Sequence, residues 1–190
     1  MKLRELLDAD WRQLHVVGRM PQRPRGVLSV FSPRFAPVVL LRVAQRLHAR
    51  GYGGLAKLFS MLNIVIFGLE VPSRLMIGPG LVLPHVQGTV LGAGHIGANV
   101  TIFHQVTLGA AEADFAYDAS LRPHVDDGVT ITAGAKVLGP VRIGKDATVG
   151  ANAVVLKDVP AGALAVGVPA RVVDRNELAP PARGEEGRLL

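Results

Sequence analysis

Between Val125 and Val155 the chain repeats every six residues, and no other feature narrows its possible folds so far. The blocks read VDDGVT, ITAGAK, VLGPVR, IGKDAT and VGANAV, and Val155 opens the next. Val125, Ile131, Val137, Ile143, Val149 and Val155 head the blocks, with Val129, Ala135, Val141, Ala147 and Ala153 four places later. A period of six matches neither the 3.6 of an amphipathic helix nor the 2 of a half-buried strand. It predicts a short strand and a tight turn, repeated, with three blocks closing a triangular coil of about eighteen residues. The aliphatic faces the prism interior, and Gly or Asn takes the left-handed turn positions.

The register runs upstream through Leu108, Ile102, Ile96 and Val90, then again at Ile77 and Val71. It is broken by a seven-residue block, LPHVQGT (83–89), and by an insertion at 109–124. Insertions in solenoids gather on one face, often the binding face, so chemistry is sought at these two breaks.

The chain divides into a mostly helical, basic segment (1–70), the prism (71–173) and a Pro- and charge-rich tail (174–190) that reads as poorly ordered. Residues 1–17 and 38–50 have helical spacing; the second turns Val39, Val43 and Leu47 one way and Arg42, Arg46 and Arg50 the other. Residues 18–37, with four prolines, read as a connector rather than a packed element. The apolar run in 55–70 is too short to span a bilayer of about 30 Å. It is either a helix buried against the prism or an interfacial segment.

Residues 1–70 carry 11 Lys/Arg against 4 Asp/Glu, whereas 71–190 carry 10 against 11. The basic excess of the first segment has two readings, a solvated face or attraction to an anionic membrane surface. No recognition motif accompanies the charge, which argues against nucleic acid. No signal peptide is visible at the N-terminus, and the expected location is cytoplasmic, with the inner membrane face as an option. With no cysteine there is no disulfide and no thiolate metal site.

Of six histidines, His15 and His48 read as surface residues of the helical segment, and His95 as a turn residue. His85 sits in the seven-residue block, and His104 is nineteen positions on, each two places after its block's aliphatic (Leu83, Ile102). The two are expected on one face of adjacent coils. His124 ends the insertion. Histidine titrates near neutrality and serves as a general base, and a carboxylate at its other nitrogen fixes the tautomer. Glu70, fifteen residues before His85 and a little less than one coil away, is the candidate partner. The competing reading of His85 is a turn histidine bonded to a carbonyl. No close histidine pair of the HxH or HxxxH kind supports a metal site.

GPGLVLPHVQGTVLG, IGANVTIFHQVTLG, AGAKVLGPVRIG, VGANAVVLKDVP and AVGVPARVV together resemble the serine acetyltransferases of the hexapeptide-repeat acyltransferase superfamily, over about 65–173. The resemblance implies a mainly β fold, a left-handed parallel β-helix behind a short α-helical segment. It also implies a homotrimer with active sites between neighbouring prisms, and acetyl-CoA as donor with no metal. It places the general base at His85 and its carboxylate at Glu70, where the family has Asp. It lays the pantetheine arm along Gly109, Ala133, Gly134 and Ala151, with Lys157 and Arg171 as phosphate partners or merely solvated ends of the last coils.

Two departures bear on the acceptor. Pro84 stands where the family has an Asp that receives the amino group of serine. The insertion ends Arg122-Pro123-His124, a shifted register for the arginine that takes the carboxylate. The resemblance extends to short-headed relatives that are often acetyltransferases of exopolysaccharide and capsule pathways, which makes a glycan hydroxyl the favoured acceptor and L-serine the alternative. On the sugar reading Phe115 and Tyr117 stack on a ring and Asp114 and Asp118 bind its hydroxyls; otherwise they only pack the loop. His104, Arg122 and His124 complete the expected acceptor site. A non-catalytic scaffold is the reading from another class.

Overall fold

The computed structural model describes residues 1–173; the tail from 174 lies outside the described residues. Three α-helices precede the prism: α1 (Leu3–Val17), α2 (Ala36–Ala49) and α3 (Gly53–Phe67), with a short 3-10 turn at Val27–Phe31. Fourteen strands of two or three residues follow among the described residues.

The prism is the left-handed parallel β-helix that the resemblance implies, and its three walls follow the period of six. One wall stacks β1 (Leu69–Glu70), β3 (Thr89–Leu91), β6 (Thr107–Gly109), β9 (Lys136–Leu138) and β12 (Val154–Val155). The second stacks β2 (Met76–Ile77), β4 (His95–Ile96), β7 (His124–Val125) and β10 (Arg142–Ile143). The third stacks β5 (Thr101–Ile102), β8 (Thr130–Ile131), β11 (Thr148–Val149), β13 (Leu164–Val166) and β14 (Arg171–Val173). Every pair is parallel except β13 with β14.

Val125 pairs with Ile143, Ile131 with Val149 and Val137 with Val155, so one coil is eighteen residues. These six side chains are at most 1% exposed, as are Val129, Ala135, Ala147 and Ala153. The aliphatic and the small residue of each block thus share the interior, where stacked branched chains fill one long, narrow core.

Upstream the register slips by one. Leu91, not Val90, pairs with Leu108 and is fully buried, while Val90 turns partly outward. The cause is the widened corner after His85. Gly88 takes φ 69°, and the Gly88 and Thr89 amides both donate to the Gly68 carbonyl. The step from Leu83 to Leu91 is thus eight residues, and the next step, Leu91 to Ile96, is five, which restores the register.

The corners of successive coils stack as well. At Gly134 φ is 76°, and Asn152, also left-handed, lies over it one coil on. A Cβ at Gly134 would collide with the Asn152 side-chain oxygen, whereas one at Gly109 meets nothing within 4 Å. Gly134→Ala is therefore expected to cost about 1–3 kcal/mol of stability from strained backbone and the displaced neighbour. Gly109→Ala should change it by under about 0.5 kcal/mol, as open surface sites do. Urea unfolding followed by circular dichroism compares the two.

The helical segment departs from expectation at two points, and at a third it excludes one of two readings. Arg42 does not face solvent: it is 1% exposed, and its Nε and Nη2 donate to both carboxylate oxygens of Asp10, which is fully buried, at 2.8 and 2.9 Å. Arg42 also donates to the carbonyls of Ile77 and Gly78, and Asp10 accepts from the amides of Gly80 and Leu81. The segment is thereby fastened to the first coil. His15, expected at the surface, is 6% exposed, with Nδ1 2.9 Å from the Trp11 carbonyl and its ring against Trp11. Finally, α3 is not buried against the prism. It packs on α2 through Ala56 and Asn63, whose amide donates to the Pro37 carbonyl, and leaves Leu58, Met61 and Val65 exposed. Among the described residues no helix is long and apolar enough to cross a membrane.

Candidate active site

Leu83 and Val86 are buried in the prism and pin the corner on either side of Pro84 and His85, so His85 projects outward. His104 projects beside it from the next coil, with ring centroids 5.8 Å apart and planes at 89°. Both histidines line one open cavity of about 750 Å³ with Ser32, Arg34, Phe67 and Gln87. Nδ1 of His104 is buried and has no hydrogen-bond partner among the described residues. Two imidazoles, one with an unmatched nitrogen, thus meet in a cleft where a proton can be taken from a bound hydroxyl.

Glu70 stands at the start of the first wall, in register with Val90, and its side chain is exposed. It makes no hydrogen bond or ion pair with His85 among the described contacts, and it does not line this cavity. The spacing of fifteen leaves Glu70 on the first wall and His85 at the corner that leads back to it, with no contact between them among the described residues.

The insertion holds itself together. The Arg122 guanidinium, 8% exposed, donates from Nε and Nη2 to Asp114 at 2.9 Å each and from Nη1 to the Gly92 carbonyl at 3.0 Å. It lies 3.8 Å from the centre of the Tyr117 ring, and Arg74 also stacks on that ring at 4.5 Å. The Tyr117 hydroxyl donates to the Ala93 carbonyl at 2.7 Å. Burial pushes the Tyr117 phenol up, partly offset by the two arginines. Asp118 accepts from the amide and hydroxyl of Ser120, and these bonds hold its carboxyl below the usual value. Arg122, Tyr117 and Asp114 hold the loop together, the packing alternative read from sequence, and Asp118 stands exposed beside them. The Arg122 guanidinium and the Tyr117 hydroxyl already have partners within the chain, whereas one Asp118 oxygen takes both Ser120 donors. Phe115 is 97% exposed and does not line the His85 cavity.

His124 pairs in register with His95 in the second wall, ring centroids 6.5 Å apart, and neither lines the His85 cavity. On the expected donor wall, Gly109 ends β6 with open space beside it, and Ala133 and Gly134 form the corner between β8 and β9. Ala151, Lys157 and Arg171 are exposed at later coils. Arg34 is the residue that sequence reasoning missed. It lies in a proline-rich connector with no periodicity, and its only local signal is the turn sequence Ser32-Pro33-Arg34-Phe35.

No family model matches the chain. It is 38% identical over 173 residues to a serine acetyltransferase of Helicobacter pylori, covering 90% of this chain and 99% of that one. It is 39% identical over 164 residues to a serine acetyltransferase of Mycobacterium tuberculosis, covering 85% of this chain and 70% of the other. Among solved structures, serine acetyltransferase of Neisseria gonorrhoeae matches with a TM-score of 0.77 at 32% identity, over 91% of this chain and 66% of that one. A serine acetyltransferase in complex with CoA matches with a TM-score of 0.76 at 30% identity, over 89% and 68%.

Proposed function

The chain belongs to the serine acetyltransferase family, as an acetyl-CoA-dependent O-acetyltransferase, and from that premise we propose that its acceptor is the hydroxyl of L-serine. The observation that carries the acceptor is the match to the Helicobacter pylori relative, which spans 99% of that protein and so includes its acceptor site as well as its prism. The scaffold reading is set aside by the same match.

In the proposed mechanism His85 takes the proton of the acceptor hydroxyl as that oxygen attacks the thioester carbonyl carbon of acetyl-CoA. A tetrahedral intermediate forms, its oxyanion facing a backbone N–H near residues 108–110, a kind of donor worth about 10²–10³ in rate. The carbon–sulfur bond then breaks, and the thiolate of CoA takes the proton from His85. Glu70 supports the imidazolium once its exposed side chain swings toward His85. His104 positions the hydroxyl. Gly109, Ala133, Gly134 and Ala151 form the wall for pantetheine, with Lys157 and Arg171 near the phosphates. The working unit is a homotrimer whose neighbouring prisms bring His124 and the insertion of one chain toward the His85 cavity of the next.

A sugar hydroxyl is the second reading, favoured by two observations. Pro84 beside His85 offers no carboxylate to an amino group, and Arg122 is bound within its own loop. CoA release measured with L-serine and with a panel of neutral sugars and uronic acids separates the two. Turnover at least tenfold faster with L-serine is expected; fast turnover with a sugar and none with serine would favour the glycan.

A further inference from the structure

We propose that Arg34, delivered by the connector between α1 and α2, binds a carboxylate on the acceptor and so selects hydroxyl compounds that carry one. The assignment rests on the reading of the His85 cavity as the acceptor site, and names its charged subsite.

The connector is not loose where it passes His85. The amides of Phe35 and Ala36 donate to the Ser32 carbonyl at 2.9 and 2.7 Å, closing a turn with Pro33 and Arg34 at its centre. Phe35 is 1% exposed and meets the Trp11 ring edge-on at 5.1 Å, which anchors the turn in the core of the helical segment. Arg34, the residue before this anchor, is held outward at a fixed place.

Two cavities meet there, and Arg34, Pro84 and His85 line both. Neither cavity has an aspartate or glutamate in its lining. Arg25, Arg42, Arg122 and Arg142 each pair with an aspartate, whereas Arg34 has no ion pair or hydrogen bond among the described residues. A guanidinium without an internal anion, at the mouth of a cleft that holds a general base, is suited to receive a carboxylate through two parallel N–H donors. Arg122, the other arginine near an expected acceptor site, has its donors committed to Asp114 and Gly92. The lining therefore carries a guanidinium and no carboxylate, and one ligand in the cleft can meet both His85 and Arg34.

The test pairs acceptors that differ in the carboxylate and gain no further hydroxyl: L-serine with ethanolamine, and glucuronate with xylose. Each is assayed with acetyl-CoA on the full-length wild type, Arg34→Gln and Arg34→Lys. In the wild type the carboxylate-bearing member of the productive pair is favoured. In Arg34→Gln that preference falls on the order of 10- to 100-fold, as expected for a lost charge-assisted bond. The loss sits in the acceptor's KM rather than that of acetyl-CoA, and Arg34→Lys restores part of it. A wild type that prefers the neutral members overturns the proposal, as does an Arg34→Gln preference equal to wild type or a rise confined to the KM of acetyl-CoA. Release of CoA with no acceptor in the panel would instead count against the function proposed above.

Discussion

His85→Ala is expected to lower acetyl transfer by about 10²–10⁴-fold, the range that a positioned general base contributes. The substitution removes an exposed side chain at a corner whose fold is fixed by Leu83 and Val86, so stability and assembly should be unaffected. Binding of CoA, measured by calorimetry, should also persist, because the donor wall lies at other corners. His85→Ala with near wild-type turnover would remove the proposed base. His104→Ala should then take over the larger loss, since its imidazole lines the same cavity. Glu70→Gln is expected to have a smaller effect than His85→Ala. Its carboxylate is exposed and makes no contact with His85 in the described structure, so it adds support rather than the proton transfer itself.

The largest expected loss of stability lies far from that cleft. Asp10→Ala leaves the Arg42 guanidinium charged and buried, and removing one partner of a buried pair costs about 3–5 kcal/mol. That is a large share of a typical domain's 5–15 kcal/mol. The pair also carries backbone groups, the carbonyls of Ile77 and Gly78 and the amides of Gly80 and Leu81. For this reason the double replacement Asp10→Leu with Arg42→Met should not restore stability, as it can for an isolated buried pair. The chain's single tryptophan, Trp11, sits one residue beyond Asp10 and reports the helical segment. Its fluorescence should change at lower urea concentration than the circular dichroism of the prism in Asp10→Ala. Unfolding of that variant within 0.5 kcal/mol of wild type would show that the pair is not the fastening, a margin set by ordinary surface substitutions.

The prism was legible because its signal does not depend on any distant residue. Each block repeats the same demand for an inward aliphatic, and errors in one block are corrected by the next. The slip at Val90 and Leu91 escaped because a widened corner moves the inward position without changing the count of residues. Arg42 was read on the wrong face for a different reason. An arginine at helical spacing with Arg46 and Arg50 looks solvated, and its partner Asp10 is thirty-two residues away on another helix. His85 and His104 could be brought together from the register alone. The fate of the insertion could not, since Asp114, Tyr117 and Arg122 have the same residue types whether they bind a ligand or one another. Arg34 lay in a segment that looked structureless, and only the burial of Phe35 gives it a place.

The fastening at Asp10 and Arg42 bears on how such a solid can associate. An interior coil has its peptide groups matched above and below, but the first coil has one open rim, a template for adding further strands end to end. Here two side chains occupy part of that rim, taking up the free groups of Ile77, Gly78, Gly80 and Leu81. At the opposite rim β14 runs against the direction of β13 and breaks the parallel pattern that another coil would have to copy. Among the described residues, part of each rim is thus taken up or turned antiparallel, which works against end-to-end addition of further coils.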